Sequence, residues 1–121
     1  MSDTMVELTI KVVNYSDADL QYDSRSSVLG GGVWVLEPCD IPADDEGYGL
    51  CKFYARPEPE GSHLAGTLTY NLPGGSLNLL FDRPKYSATS SSEQYVVNAY
   101  DETNYSIENG SFTIRYEVRN R

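Results

Sequence analysis

The chain has 121 residues, enough to bury roughly two-thirds of its unfolded surface around one core, and residues 1–121 read as a single domain. Nine basic residues against eighteen acidic ones give a formal charge of −9. That balance disfavours nucleic acid, whose phosphates need clustered Lys and Arg, and it disfavours simple docking on anionic lipid. A neutral or zwitterionic ligand, or a basic protein partner, suits it better.

The first thirteen residues, MSDTMVELTIKVV, carry no basic n-region and no apolar stretch before a cleavage site. No run approaches the ~20 apolar residues that span a bilayer. The expected location is therefore the cytoplasm, or release without a classical signal peptide. The first strand is predicted here, because Val6, Leu8, Ile10 and Val12 alternate with Glu7, Thr9 and Lys11. A period of two marks a half-buried strand.

Short runs of the same kind follow. Leu20-Gln21-Tyr22 extends towards Val28-Leu29, and Gly32 to Leu36 follows the glycine run at 30–32. Tyr48 to Ala55 sets Leu50, Lys52 and Tyr54 against Cys51, Phe53 and Ala55. His63 to Tyr70, Ser76 to Phe81 and Tyr95 to Tyr100 come next, and Phe112 to Val118 closes the chain as a mirror of the first strand. The separators are rich in Pro, Gly, Asn and Asp, which is turn chemistry. Asp44-Asp45-Glu46 and Ile107 to Asn109 hold one helical turn at most. The pattern predicts an all-β fold: a single-domain antiparallel β-sandwich of about eight strands. The terminal strands either pair with each other or lie in facing sheets.

Catalysis finds little support. His63 is the only histidine, it opens a strand beside Ser62, and there is no GxSxG elbow. The chain is read as a non-enzyme. Two cysteines, Cys39 and Cys51, and one histidine are too few for a Cys/His zinc site. The two thiols either bridge or, in a reducing cytosol, stay free. Asp17, Asp19 and Asp23, and again Asp40 with Asp44-Asp45-Glu46, make oxygen-rich loops of the sort calcium uses, but without EF-hand spacing. They read as solvated acidic turns, and no cofactor is expected. Three Asn-x-Ser sequons, at Asn14, Asn104 and Asn109, lie in polar turns.

Aromatic residues carry the functional expectation. There are ten tyrosines, three phenylalanines and one tryptophan. Trp34 sits in an apolar run and reads as core. Tyr48 and Tyr86 lie in or beside turns, and Tyr95 opens a strand. Exposed tyrosines at the end of a sandwich cage a quaternary ammonium, stack on a sugar ring or seat in a membrane interface.

The order of the pieces resembles the actinoporin-like sandwich group, which includes the sea anemone cytolysins, their plant and fungal relatives and the more distant aegerolysins. The resemblance starts at Val12-Val13-Asn14-Tyr15-Ser16. It continues through Gly32-Val33-Trp34-Val35-Leu36-Glu37-Pro38 with Ile41-Pro42, then Cys51-Lys52-Phe53 and Gly66 to Tyr70. It ends in Leu77 to Phe81 followed by Pro84, Tyr86, Ser87 and Tyr95. The resemblance implies a phosphocholine-like headgroup site at Pro84, Tyr86, Ser87 and Tyr95, and Arg83 or Lys85 would face a phosphate. Two departures stand out. Only five residues precede the first strand, so the family's pore-forming helix is not expected, and serines replace much of its aromatic cluster. The implied function is recognition of a membrane-lipid headgroup or a glycan without perforation. The alternative is a structural sandwich that self-assembles or binds a basic protein partner.

Overall fold

In the computed structural model, which describes residues 7–43, 49–82, 85–103 and 111–121, ten strands follow one another. They are β1 (Glu7–Asn14), β2 (Gln21–Tyr22), β3 (Val28–Gly30), β4 (Gly32–Leu36), β5 (Gly49–Pro57), β6 (Ala65–Leu72), β7 (Gly75–Asp82), β8 (Lys85–Ser90), β9 (Tyr95–Asp101) and β10 (Ser111–Asn120). One sheet has the order β4-β5-β1-β10-β9; the other has β2-β6-β7-β8, with β3 also paired to β6. The all-β sandwich read from the alternating pattern is the observed fold.

Two details differ from expectation. Ten strands replace eight for two reasons. A single 3₁₀ turn, Ser24–Ser26, splits the second run into β2 and β3, and Asp23 caps it by accepting from the amides of Arg25 and Ser26. The other addition is β8, which falls where a loop was expected. Its inward positions are Tyr86, Ala88 and Ser90, of which Ala88 and Ser90 are too small to mark an apolar face. The second difference is that the sheets are not wholly antiparallel. β1 and β10 pair in parallel at the centre of their sheet, with Leu8 opposite Phe112, Ile10 opposite Ile114 and Val12 opposite Tyr116. Parallel neighbours need a long crossover, and the eight strands between them supply it.

The core lies between the sheets. Leu8, Ile10, Val12, Phe53, Ile114, Tyr116 and Val118 meet Leu68, Tyr70, Leu77, Leu79 and Phe81. Two tyrosines send their hydroxyls out of this apolar layer to main-chain carbonyls, Tyr70 to Cys39 at 3.0 Å and Tyr116 to Leu80 at 2.8 Å. Burial pushes both phenols well above the ordinary tyrosine value, so each stays a protonated donor. Trp34 packs edge-on against Phe53 at 5.6 Å, a core role as its apolar run predicts.

Three local devices close the sandwich. Gly31 has φ of 77° and its α-carbon abuts the His63 carbonyl, so the chain passes from β3 in one sheet to β4 in the other where no side chain fits. Buried Asn14 donates to the carbonyls of Ala18 at 2.7 Å and Pro42 at 2.9 Å, and its Oδ1 accepts from the amide and hydroxyl of Ser16. Both amide hydrogens of that sequon are thus engaged inside the fold; Asn104 and Asn109 lie outside the described residues. Cys39 and Cys51 form a disulfide with their α-carbons 6.5 Å apart. It ties the segment after β4 to β5. No helix among the described residues is long and apolar enough to cross a membrane.

Candidate functional site

The β7–β8 hairpin brings three of the expected site residues together. Its register sets Asp82 opposite Lys85, Phe81 opposite Tyr86 and Leu80 opposite Ser87. Alternation then sorts them. Lys85 and Ser87 are exposed, whereas Tyr86 turns inward and packs half-buried on the core. Around the end of the hairpin these six residues line an open depression of about 440 Å³. Leu80, 41% exposed, and half-buried Tyr86 supply its apolar surface, while Phe81 is buried; Lys85 and Asp82 supply one charge of each sign. Asp82 also hydrogen-bonds the His63 ring nitrogen Nε2, and both side chains are mostly exposed. Arg83 and Pro84 lie outside the described residues, as does Tyr48.

Tyr95 is elsewhere. It is not among the residues lining the depression. β8 carries the chain away from Tyr86 at about 3.3 Å per residue, so Ser90 ends roughly 13 Å further on, and Tyr95 opens β9 beyond it. Tyr95 is only 6% exposed, and its hydroxyl donates to Asp17 Oδ1 at 2.7 Å. That hydrogen bond is the main cause holding the Asp17 carboxyl below its ordinary value, and it raises the Tyr95 phenol in turn. The expected facing pair of Tyr86 and Tyr95 across one loop is therefore corrected. The intervening serines form a strand and a docked turn rather than a loop.

The serines have structural work. Ser91 Oγ accepts from the Ser76 amide at 2.9 Å, and Ser92 Oγ donates to the Pro73 carbonyl at 3.1 Å and accepts from the Gln94 amide at 3.2 Å. They bind the turn between β8 and β9 to the turn between β6 and β7. Gly75 permits this, because a β-carbon there would collide with Ser91 Oγ and the Ser92 amide.

The acidic loops are likewise engaged with main chain. Asp19 accepts from the Ala43 amide at 2.8 Å and Asp40 from the Tyr22 amide at 2.7 Å, while Asp23 caps the 3₁₀ turn. Asp17 and Asp19 line a second open cleft of about 560 Å³ with Asn71 and Pro73. Among the described residues, no three His, Cys, Asp or Glu side chains are grouped to hold a metal. Asp44, Asp45 and Glu46 lie outside them.

Sequence reasoning missed Leu80, Phe81 and Asp82 as members of the depression. The register supplies them, since each faces an expected site residue across the hairpin; a strand at 85–90 was the signal needed to find them. Compared with known proteins, the chain matches no family model and no curated sequence.

Proposed function

We propose that this chain is a non-enzymatic recognition domain whose site is the end of the β7–β8 hairpin, and that its ligand is a zwitterionic, phosphocholine-like lipid headgroup. One observation carries the reading: Asp82 and Lys85 stand opposite each other beside exposed Leu80 and half-buried Tyr86 in one open depression. A quaternary ammonium gains from the Tyr86 ring and the Asp82 carboxylate. The phosphate gains from Lys85 and the Ser87 hydroxyl. A zwitterion carries no net charge, so the −9 of the chain does not repel it. The resemblance of its motif order to that of the actinoporin-like group supports the same ligand class. Tyr95 has no part in the site on this reading.

The test is flotation with vesicles of phosphatidylcholine or sphingomyelin, set against vesicles of phosphatidylglycerol and against a glycan array. The phosphocholine vesicles are expected to retain the protein. A cation–π contact is worth roughly 0.5–2 kcal/mol, so Tyr86→Ala should weaken retention by about 2- to 30-fold. Tyr86 also packs on the core, so exposed Lys85→Glu serves as the second variant and should weaken retention without lowering the melting temperature. No flotation with any lipid would sink the headgroup reading, and glycan binding lost in Lys85→Glu would move the same site to a sugar.

A further inference from the structure

Asp82 and Lys85 stand level across the hairpin, yet among the described residues they make no ion pair with each other. Opposite charges at facing positions of a β-ladder attract and ordinarily close on one another. Here the Asp82 carboxylate has another partner: its Oδ1 hydrogen-bonds Nε2 of His63.

Three features place that ring. Ala65 faces Asp82 in the β6–β7 ladder. The alternation continues back through buried Leu64, so His63 stands on the same side as Ala65 and reaches the carboxylate diagonally. Leu64, with no exposed surface, anchors the neighbouring residue in the core. Gly31 passes so close that a β-carbon there would collide with the His63 carbonyl, which fixes the main chain beneath an exposed ring.

We propose that His63 is a positioning residue of the headgroup site: it holds the Asp82 carboxylate apart from Lys85, which keeps both charges available to the two ends of a zwitterion, and its protonation weakens the ligand. The inference rests on the headgroup reading and adds a residue that the reading does not use. A neutral imidazole donates its Nε2–H to the carboxylate and leaves the full negative charge for the ammonium. An imidazolium sets a cation against the same carboxylate, so proton and ammonium oppose each other there. One unit charge roughly 6 Å from the ammonium, in water-like surroundings, changes affinity on the order of threefold. With no side chain at 63 to hold it, Asp82 turns to Lys85 and the site neutralises itself.

The other charges around the ring are accounted for. Lys85 lies beyond Asp82 on β8, and the connection from β3 to β4 presents only Gly31. On the segment leading to His63, Glu58 pairs with Arg56 at 3.6 Å, and Glu60 makes no bond to the ring. His63 is the only histidine, and imidazole is the side chain that ordinarily changes charge between about pH 5 and 8. A phosphocholine headgroup keeps both its charges over that range.

Retention of the whole chain on phosphatidylcholine vesicles, measured from about pH 5 to 8, tests the proposal. The parent should bind about threefold more tightly at the upper end. His63→Gln keeps a donor for Asp82 but does not titrate; it should match the parent at about pH 8 and show a flat profile. His63→Ala should bind about 1.5- to 5-fold more weakly than the parent at that pH, as Asp82 and Lys85 pair with each other, and should melt at the same temperature. A flat profile in the parent, a His63→Gln profile that follows the parent's, or His63→Ala binding as tightly as the parent would overturn the proposal and leave the headgroup reading standing. No retention of the parent at any pH would overturn both.

Discussion

Tyr95 shows how one hydroxyl changes the meaning of a residue. As an aromatic beside a serine-rich stretch, it has the appearance of a ligand contact. In the fold its ring is buried and its hydroxyl holds Asp17, whose main-chain amide in turn donates to Asn120 Oδ1 at 3.0 Å. The turn after β1 is thereby fastened to the start of β9 and the end of β10. The carboxyl titrates below its ordinary value of 3.8, chiefly through Tyr95. A depressed acid contributes stability above its unfolded value and loses it as pH falls through the folded value. Tyr95→Phe should therefore lower stability at neutral pH, because the hydrogen bond that favours the ionised carboxyl is lost. It should also lose less further stability than the parent between neutrality and pH 3. Urea melts at several pH values check this, and parallel pH curves for the two proteins would refute it.

Among the elements, the parallel pair β1–β10 carries a polar network on its outer face. Glu102 accepts from Lys11 at 2.9 Å and from Arg115 at 3.3 Å. Arg115 also donates to Glu117 at 2.7 Å and to the Tyr15 hydroxyl at 2.9 Å, and Arg119 stacks over the Tyr15 ring at 4.3 Å. Lys11 is the leading cause that holds Glu102 below its ordinary value. Arg115 is only about a quarter exposed and makes several contacts at once. Its removal should therefore exceed the usual return of a surface pair. Arg115→Ala should cost about 1–2 kcal/mol and make stability less sensitive to salt. An Arg115→Ala protein with the same urea midpoint as its parent at low and high salt would count against the network. This network also marks the limit of what the sequence discloses. The period-two pattern exposes Lys11 and Arg115 as outward residues of two strands. It says nothing of whether those strands are neighbours or which way they run, because a lateral partner leaves no trace in local alternation. β8 fails for the opposite reason. Its alternation is present, but Ala88 and Ser90 are too small to mark a buried face, while the large outward residue Leu80 on β7 blurs the pattern of its neighbour. The hairpin residues Lys85, Tyr86 and Ser87 were legible by type, and only the register joins them to Asp82 and Leu80.

At the scale of the molecule, the sandwich separates its tasks by flank. The β8–β9 flank carries the depression, the β4 flank carries exposed apolar residues, and the disulfide lies on the latter side. Cys51 sits inside β5, and Cys39 follows the exposed end of β4, so the bridge fixes the chain that leaves β4. The two cysteines are 12 residues apart in sequence. Constraining a loop of that size in the unfolded chain stabilises the fold by about 3 kcal/mol. The Tyr70 hydroxyl bonds the Cys39 carbonyl at 3.0 Å, and Ile41 bonds Leu20 in both directions, so neighbouring contacts hold the same segment without the bridge. Reduction should therefore destabilise the protein without unfolding it at room temperature. The expected outcome is a melting temperature lower by tens of degrees at most, about 4–8 °C per kcal/mol for domains near this size. Cys39→Ser should reproduce the reduced protein under non-reducing conditions, and adding reductant to that variant should change nothing further. A parent whose melting temperature ignores reductant, with thiol titration showing both sulfurs released, would mean that the bridge contributes no stability and that the hydrogen bonds around Ile41 alone set the path from β4 to β5.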